Sequence, residues 1–186
     1  MKMNLTKFDV AERQLLQSIR LLFRDEDPVS IHTLSEAALQ VLRDMASEFG
    51  TTSKLRDNDF IRPEKKKEWY RALVKNKNFF KHAEKDKTLI LEFDPEVNNF
   101  SIIDAVSIYA HIKKQWVPET KAFVAWFCLK YPDLLKKDSD LSGIYHIIKE
   151  SNSLIDRENK KQFSEMIEQL RLGIIVMDNI TTTYGL

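Results

Sequence analysis

Two blocks of apolar residues at helical spacing, separated by a polar turn that neither can cross, open the chain. Val10, Leu15, Ile19 and Leu22 recur at steps near 3.6, and Leu16 and Phe23 widen the stripe, as in a helix with one buried face. Asp9, followed three residues later by Glu12, predicts its start, so the first helix is expected from about Asp9 to Arg24. Arg24-Asp25-Glu26-Asp27-Pro28 then ends it. Pro28 fits the first turn of a second helix reaching about Phe49, and Gly50 suits a left-handed cap. Ile31, Leu34, Ala38, Val41, Leu42 and Met45 form the buried side. Two such helices joined by a short turn predict an antiparallel hairpin, the seed of a bundle.

The remaining composition agrees with that beginning. Only 4 Gly and 5 Pro stand among 186 residues, with 43% hydrophobic and 31% charged, which favours helices over a turn-rich sandwich. We expect an all-α, single-domain bundle of about six to seven helices spanning residues 1–186, with 181–186 as a frayed tail. Gly-x-Gly and Gly-Lys-Ser/Thr phosphate loops are absent, so nucleotide-binding α/β folds lose support. Cys128 is the single cysteine. It rules out an intramolecular disulfide and suits a reducing compartment, so a cytoplasmic location is expected. The longest apolar runs fall far short of the roughly 20 residues that cross a bilayer, and no membrane association is expected.

Further along, Thr51 to Asp59 reads as a polar, mobile connection, and Arg62-Pro63-Glu64 as the start of a third helix ending near Val74. Lys75-Asn76-Lys77-Asn78 is expected to interrupt it, with Asn78 capping a further turn to Glu84. Thr88 to Phe93 is the one β-type run and, lacking a partner, reads as an extended connector. Further helices are expected from Ser101 to about Gln115, from Pro118 to near Tyr131, around Leu141 to Leu154, and from Asp156 to Leu172.

Charge is unevenly placed. Between Lys54 and Lys87 stand twelve Lys/Arg and six Asp/Glu, an excess of +6 in a chain whose total is +1. Such a field on one part of a nearly neutral protein is what a phosphate-binding surface requires. Trp69, Tyr70, Phe79 and Phe80 are interleaved with it, and exposed aromatics stack on unpaired bases while cations meet phosphates. Lys65, Lys66, Arg71, Lys75 and Lys81 are the candidate nucleic-acid-binding residues. The competing reading makes those aromatics core and Lys65-Lys66-Lys67 a solvated face.

The densest cluster is Lys77-Asn78-Phe79-Phe80-Lys81-His82-Ala83-Glu84-Lys85-Asp86. Together with Ala11, Leu15, Ile19 and the Leu34-Ser35-Glu36-Ala37-Ala38 segment of the opening hairpin, it resembles the HEPN (higher eukaryotes and prokaryotes nucleotide-binding) family over about residues 11–86. Many members carry an Arg, a polar residue such as Asn, and a His a few residues on; Lys77, Asn78 and His82 follow that order. The resemblance implies a small helical bundle whose ribonuclease members cut RNA without a metal at a cleft shared by two protomers. It makes His82, Lys77 and Asn78 the catalytic candidates: two copies of His82 in a dimer to exchange protons, Lys77 or Lys81 to stabilise the phosphorane, and Asn78 to position. Lys77 replaces the family's Arg and keeps its charge but loses the planar bidentate fork, so a binding-only member is equally consistent with the motif.

Other motifs carry less. His32 and Glu36 are four apart and face one way on the second helix, but a metal site needs ligands the sequence does not supply, so no metal and no cofactor is expected. Asp104 and His111 share a helix face, and His146 has no recognisable partner. Cys128 reads as inert core, and the aromatics from Trp116 to Tyr131 read as core or as a protein interface. The final helix is expected to pack through Phe163, Ile167 and Leu170. The alternative to an RNA- or nucleotide-binding HEPN-like protein is therefore a non-enzymatic interaction or regulatory protein, whose partner is a protein or a second copy of the chain.

Overall fold

The computed structural model describes residues 2–57, 63–82, 84, 87–137, 139–150 and 155–177. They form seven α-helices and no strand: α1 (Lys7–Phe23), α2 (Pro28–Ala46), α3 (Pro63–Lys81), α4 (Val97–Lys113), α5 (Pro118–Lys130), α6 (Asp140–Glu150) and α7 (Lys160–Arg171). The all-α bundle expected from composition and periodicity is the observed architecture. Among the described residues no helix is long and apolar enough to cross a membrane.

The opening hairpin forms with its ends slightly moved. Thr6, not Asp9, caps α1: Asp9 N–H donates to the Thr6 hydroxyl at 3.1 Å and the Asp9 carboxylate accepts from Thr6 N–H at 2.8 Å, so Asp9 is the third-turn-position partner of a capping box rather than the cap. Asp27 caps α2, accepting from Ser30 N–H at 2.8 Å, with Pro28 in the first turn. A 3-10 turn, Ser47–Phe49, prolongs α2, and Gly50 closes it at φ +69° as expected.

α4 and α5 are central and have no wet face. Ile102, Ala105, Val106, Ile108 and Tyr109 of α4, and every residue from Ala122 to Cys128 of α5, are buried, as in a helix enclosed on all sides. Phe23 meets Phe123, Trp126 and Phe163 at ring distances of 6.4, 5.8 and 5.4 Å, joining α1, α5 and α7 in one core. α7 packs through Phe163 and Ile167, with Leu170 half-buried. Cys128 is fully buried, and burial pushes its thiol up to about 12, the inert state anticipated for it.

Several boundaries differ from expectation. α3 runs unbroken through Lys75-Asn76-Lys77-Asn78, because these residues alternate between a packed side and a wet side at helical spacing and so support the helix they were expected to break. α4 begins four residues before Ser101, and α7 four residues after Asp156; Ser101 and Asp104 are used for tertiary bonds instead of a cap. Residues 51–57 are anchored rather than mobile, with Ser53 fully buried. Residues 89–94 form neither helix nor strand. The tail expected at 181–186 and the helix end expected at Leu154 lie outside the described residues.

Candidate nucleic-acid interface

α3 leans chiefly on α2 and has two unlike sides. Leu73, Val74, Lys77 and Phe80 turn inward, with Val74 buried and the others half-buried. Lys67, Arg71, Lys75 and Asn78, and His82 just past the helix end, are exposed. Their spacing of four, four, three and four residues keeps them within one stripe of an α-helix. His82 continues the spiral, since its N–H donates to the Asn78 carbonyl at 3.0 Å. Lys65 is exposed and pairs with Glu68 at 2.8 Å, and Lys81 is exposed at the edge of the stripe. The side chains of Lys66 and Trp69 lie outside the described ones.

The three residues of the HEPN-like motif divide between these sides. Asn78 and His82 face out, whereas Lys77 lies five residues before His82, about 140° around the helix at about 100° per residue. Its Nζ donates to Gln40 Oε1 of α2 at 2.9 Å. Burial lowers the Lys77 pKa, the Glu36 carboxylate opposes that, and Arg56 adds to it. Lys77 and His82 therefore do not converge within one chain. The cations that share the His82 face are Lys67, Arg71 and Lys75.

Lack of an ion pair is not peculiar to this stripe, since among the described residues the exposed Arg13, Arg24, Lys114, Lys136 and Lys137 also form none. Lys113 bonds Glu12, Lys130 bonds Glu96 and Lys160 bonds Asp25, while Lys67, Arg71, Lys75 and Lys81 form no ion pair among the described residues. The His82 ring likewise has no hydrogen-bond partner among them. Cations on an exposed helix face attract a polyanion, and the carboxylates of Glu64 and Glu68 stand on the same exposed side at the N-terminal end of α3.

Beneath α3 runs a polar seam that sequence reading missed. His32 Nδ1 meets Asn98 Oδ1 at 2.8 Å, Glu36 Oε1 accepts from Ser101 at 2.6 Å, and Asp104 accepts from Ser53 Oγ at 2.5 Å and Lys54 N–H at 2.8 Å. Because Asn98 Nδ2 donates to the Pro28 carbonyl, its Oδ1 faces His32, so the ring carries its proton on Nδ1. Arg56 reaches in from the 51–57 segment to Glu36 at 2.5 Å. Phe80 of α3 and Phe93 rest edge-on against the His32 ring at 5.2 and 5.4 Å. The seam thus forms the seat of α3. The signal for it was present: Asn98, Ser101 and Asp104 fall at three-residue steps on a buried helix, opposite His32 and Glu36 at a four-residue step. His32 and Glu36 are committed to these bonds, and among the described residues no cluster of three or more His, Cys, Asp or Glu could hold a metal ion. Asp104 belongs to the seam and His111 bonds the Phe49 carbonyl at 2.9 Å, so these two do not act together.

Comparison of the chain with protein-family models, curated proteins and solved structures returned no match.

Proposed function

We propose that the outer face of α3 binds single-stranded RNA or nucleotide phosphates, as the HEPN-like resemblance suggests, with metal-independent RNA cleavage as the sharper form of the activity. The observation that supports it is the stripe Lys67–Arg71–Lys75–Asn78–His82, whose cations lack ion-pair partners among the described residues. Arg71 offers a planar fork and Lys75 a point charge for successive phosphates. Asn78 positions, and Lys81 adds charge beside His82.

In the cleaving version, a ribose 2′-hydroxyl attacks the neighbouring phosphorus. One imidazole accepts the hydroxyl proton, a second protonates the departing 5′-oxygen, and the cations stabilise the charged phosphorane. One His82 cannot do both at once, so the second copy comes from a two-fold partner. Lys77 acts from behind the helix, holding α3 on α2, and Arg71 and Lys75 take the charge-stabilising part. The test is cleavage of mixed-sequence single-stranded RNA in EDTA by wild type and His82→Ala at matched oligomeric state. Loss of cleavage confined to the variant is the expected result. Salt-sensitive RNA binding without cleavage leaves a binding protein, and neither binding nor cleavage refutes the proposal in favour of a protein-interaction role.

A further inference from the structure

The seam under α3 is closed by little apolar packing. Val74, 6% exposed, is the one buried side chain of α3 among those described, and Leu73, Lys77 and Phe80 are half-buried. Beyond them α3 is held by the Lys77–Gln40 bond and by Arg43, which lies 6.0 Å from the centre of the exposed Tyr70 ring. By contrast, α1, α4, α5 and α7 share a core of fully enclosed residues such as Leu15, Ile102, Phe123 and Phe163. A helix with so little burial opens at a lower free energy than the core does.

His32 sits under that thin cover and is 2% exposed. Phe80 and Phe93 stand edge-on against its ring, and the two phenyl rings meet each other at 5.1 Å. With Nδ1 donating to Asn98, a second proton goes to Nε2, which is buried and has no hydrogen-bond partner. The charged groups around the ring come from three elements: Glu36 of α2, Arg56 of the 51–57 segment and Lys77 of α3. α4 meets the ring with neutral Asn98, and the 89–94 segment meets it with Phe93. Asp104 of α4 also lies in the seam, committed to Ser53 and the Lys54 amide. A charged His32 is therefore the third cation around a Glu36 carboxylate already bonded to Arg56 and Ser101. Burying that extra charge is costly, and water reaching the ring once Phe80 and Phe93 withdraw removes the cost.

We propose that protonation of His32 releases α3 and the Phe93 segment from the seam while the rest of the bundle stays folded. The device uses the inner side of α3 and does not rest on the RNA-binding reading of its outer face. Glu36 Oε2 is also unbonded, so the competing response is for it to accept the new Nε2–H with α3 still seated.

The experiment measures amide exchange of the full chain by NMR from about pH 7.5 to 5.5 and converts it to opening constants, following the His32 ring signals on the same samples. Opening constants for the amides of Leu73 to Phe80 should exceed those of Ala122 to Cys128 by at least about tenfold throughout. They should rise by up to about tenfold per pH unit below about 6.5. His32→Asn, which keeps a donor where Nδ1 stands, should lose that rise, and His82→Ala, which removes the exposed histidine at the end of α3, should keep it. In wild type the ring should stay neutral for as long as α3 is seated, a result that decides the case even where His32→Asn does not fold. Four outcomes each overturn the proposal: α3 amides that open only as often as those of α5, opening constants flat with pH, an unchanged rise in His32→Asn, and a ring that becomes charged with α3 still seated.

Discussion

Arg56 and Glu36 form an ion pair at 2.5 Å in which their side chains are 2% and 0% exposed. The pair ties the 51–57 segment to α2 beneath α3, and Ser101 shares the same Glu36 oxygen. Removing one member of such a pair strands the other charge in a low-dielectric interior, at a cost of about 3–5 kcal/mol. Glu36→Gln is therefore expected to lower unfolding free energy by about that much in urea melts. Glu36→Leu combined with Arg56→Met is expected to recover most of it, and an equally unstable double variant would contradict this account.

Asp104 holds Ser53 and the Lys54 amide. Asp104→Ala leaves these donors unpaired, each costing about 1–3 kcal/mol if it stays buried. Amide exchange at residues 53–56 should accelerate well beyond that of the α5 core. Uniform acceleration everywhere would mean that Asp104 supports the whole bundle rather than this segment.

Burial lowers the His32 pKa below 6.5, with Arg56 and Lys77 adding to the effect and Asn98 and Glu36 opposing it. The native state then binds fewer protons than the unfolded chain just below pH 6.5. The resulting stability is fully present above that value and is lost as pH falls towards the folded-state pKa. Asp57 and Glu119 lie below their ordinary values despite burial, because Arg43 bonds the first and Arg20 and Arg171 the second; their stability is lost only at more acid pH. Thermal melts should begin to fall as pH drops below about 6.5, and His32→Gln should flatten that part of the curve. An identical pH profile in the variant would remove His32 as the cause.

Phe23 joins three rings of the central core. Phe23→Ala is expected to cost about 3–5 kcal/mol, measured by denaturant unfolding, while Lys75→Ala on the wet side of α3 should change stability by less than about 0.5 kcal/mol. A comparable loss in both would place Lys75 in the packed structure.

The helical class, the opening hairpin and the burial of Cys128, Phe163 and Ile167 were legible because each depends on local periodicity or on an apolar side chain. The capping of α1 was displaced because Thr6 and Asp9 act reciprocally, and either can be read as the cap. The continuity of α3 was missed because Lys77 looks like surface by residue type but lies half-buried against Gln40. Partners distant in sequence hid the seam: nothing near Glu36 announces Arg56, and nothing near Ser53 announces Asp104. The same limit applied to the HEPN-like trio, whose order along the chain says little about which side of the helix each residue occupies.

The most direct test of the α3 face is the salt dependence of binding to a fluorescent single-stranded RNA, compared among wild type, Arg71→Ala/Lys75→Ala and Lys77→Met. Each phosphate contact contributes about 0.7 to the slope of log affinity against log salt for single strands. Wild type should show a steep negative slope, and the double variant should lose about 1.4 of it while retaining its melting temperature. Lys77→Met should keep the Arg71 and Lys75 contacts and lose stability instead. Salt-insensitive binding, or a slope unchanged by the double substitution, would contradict the account.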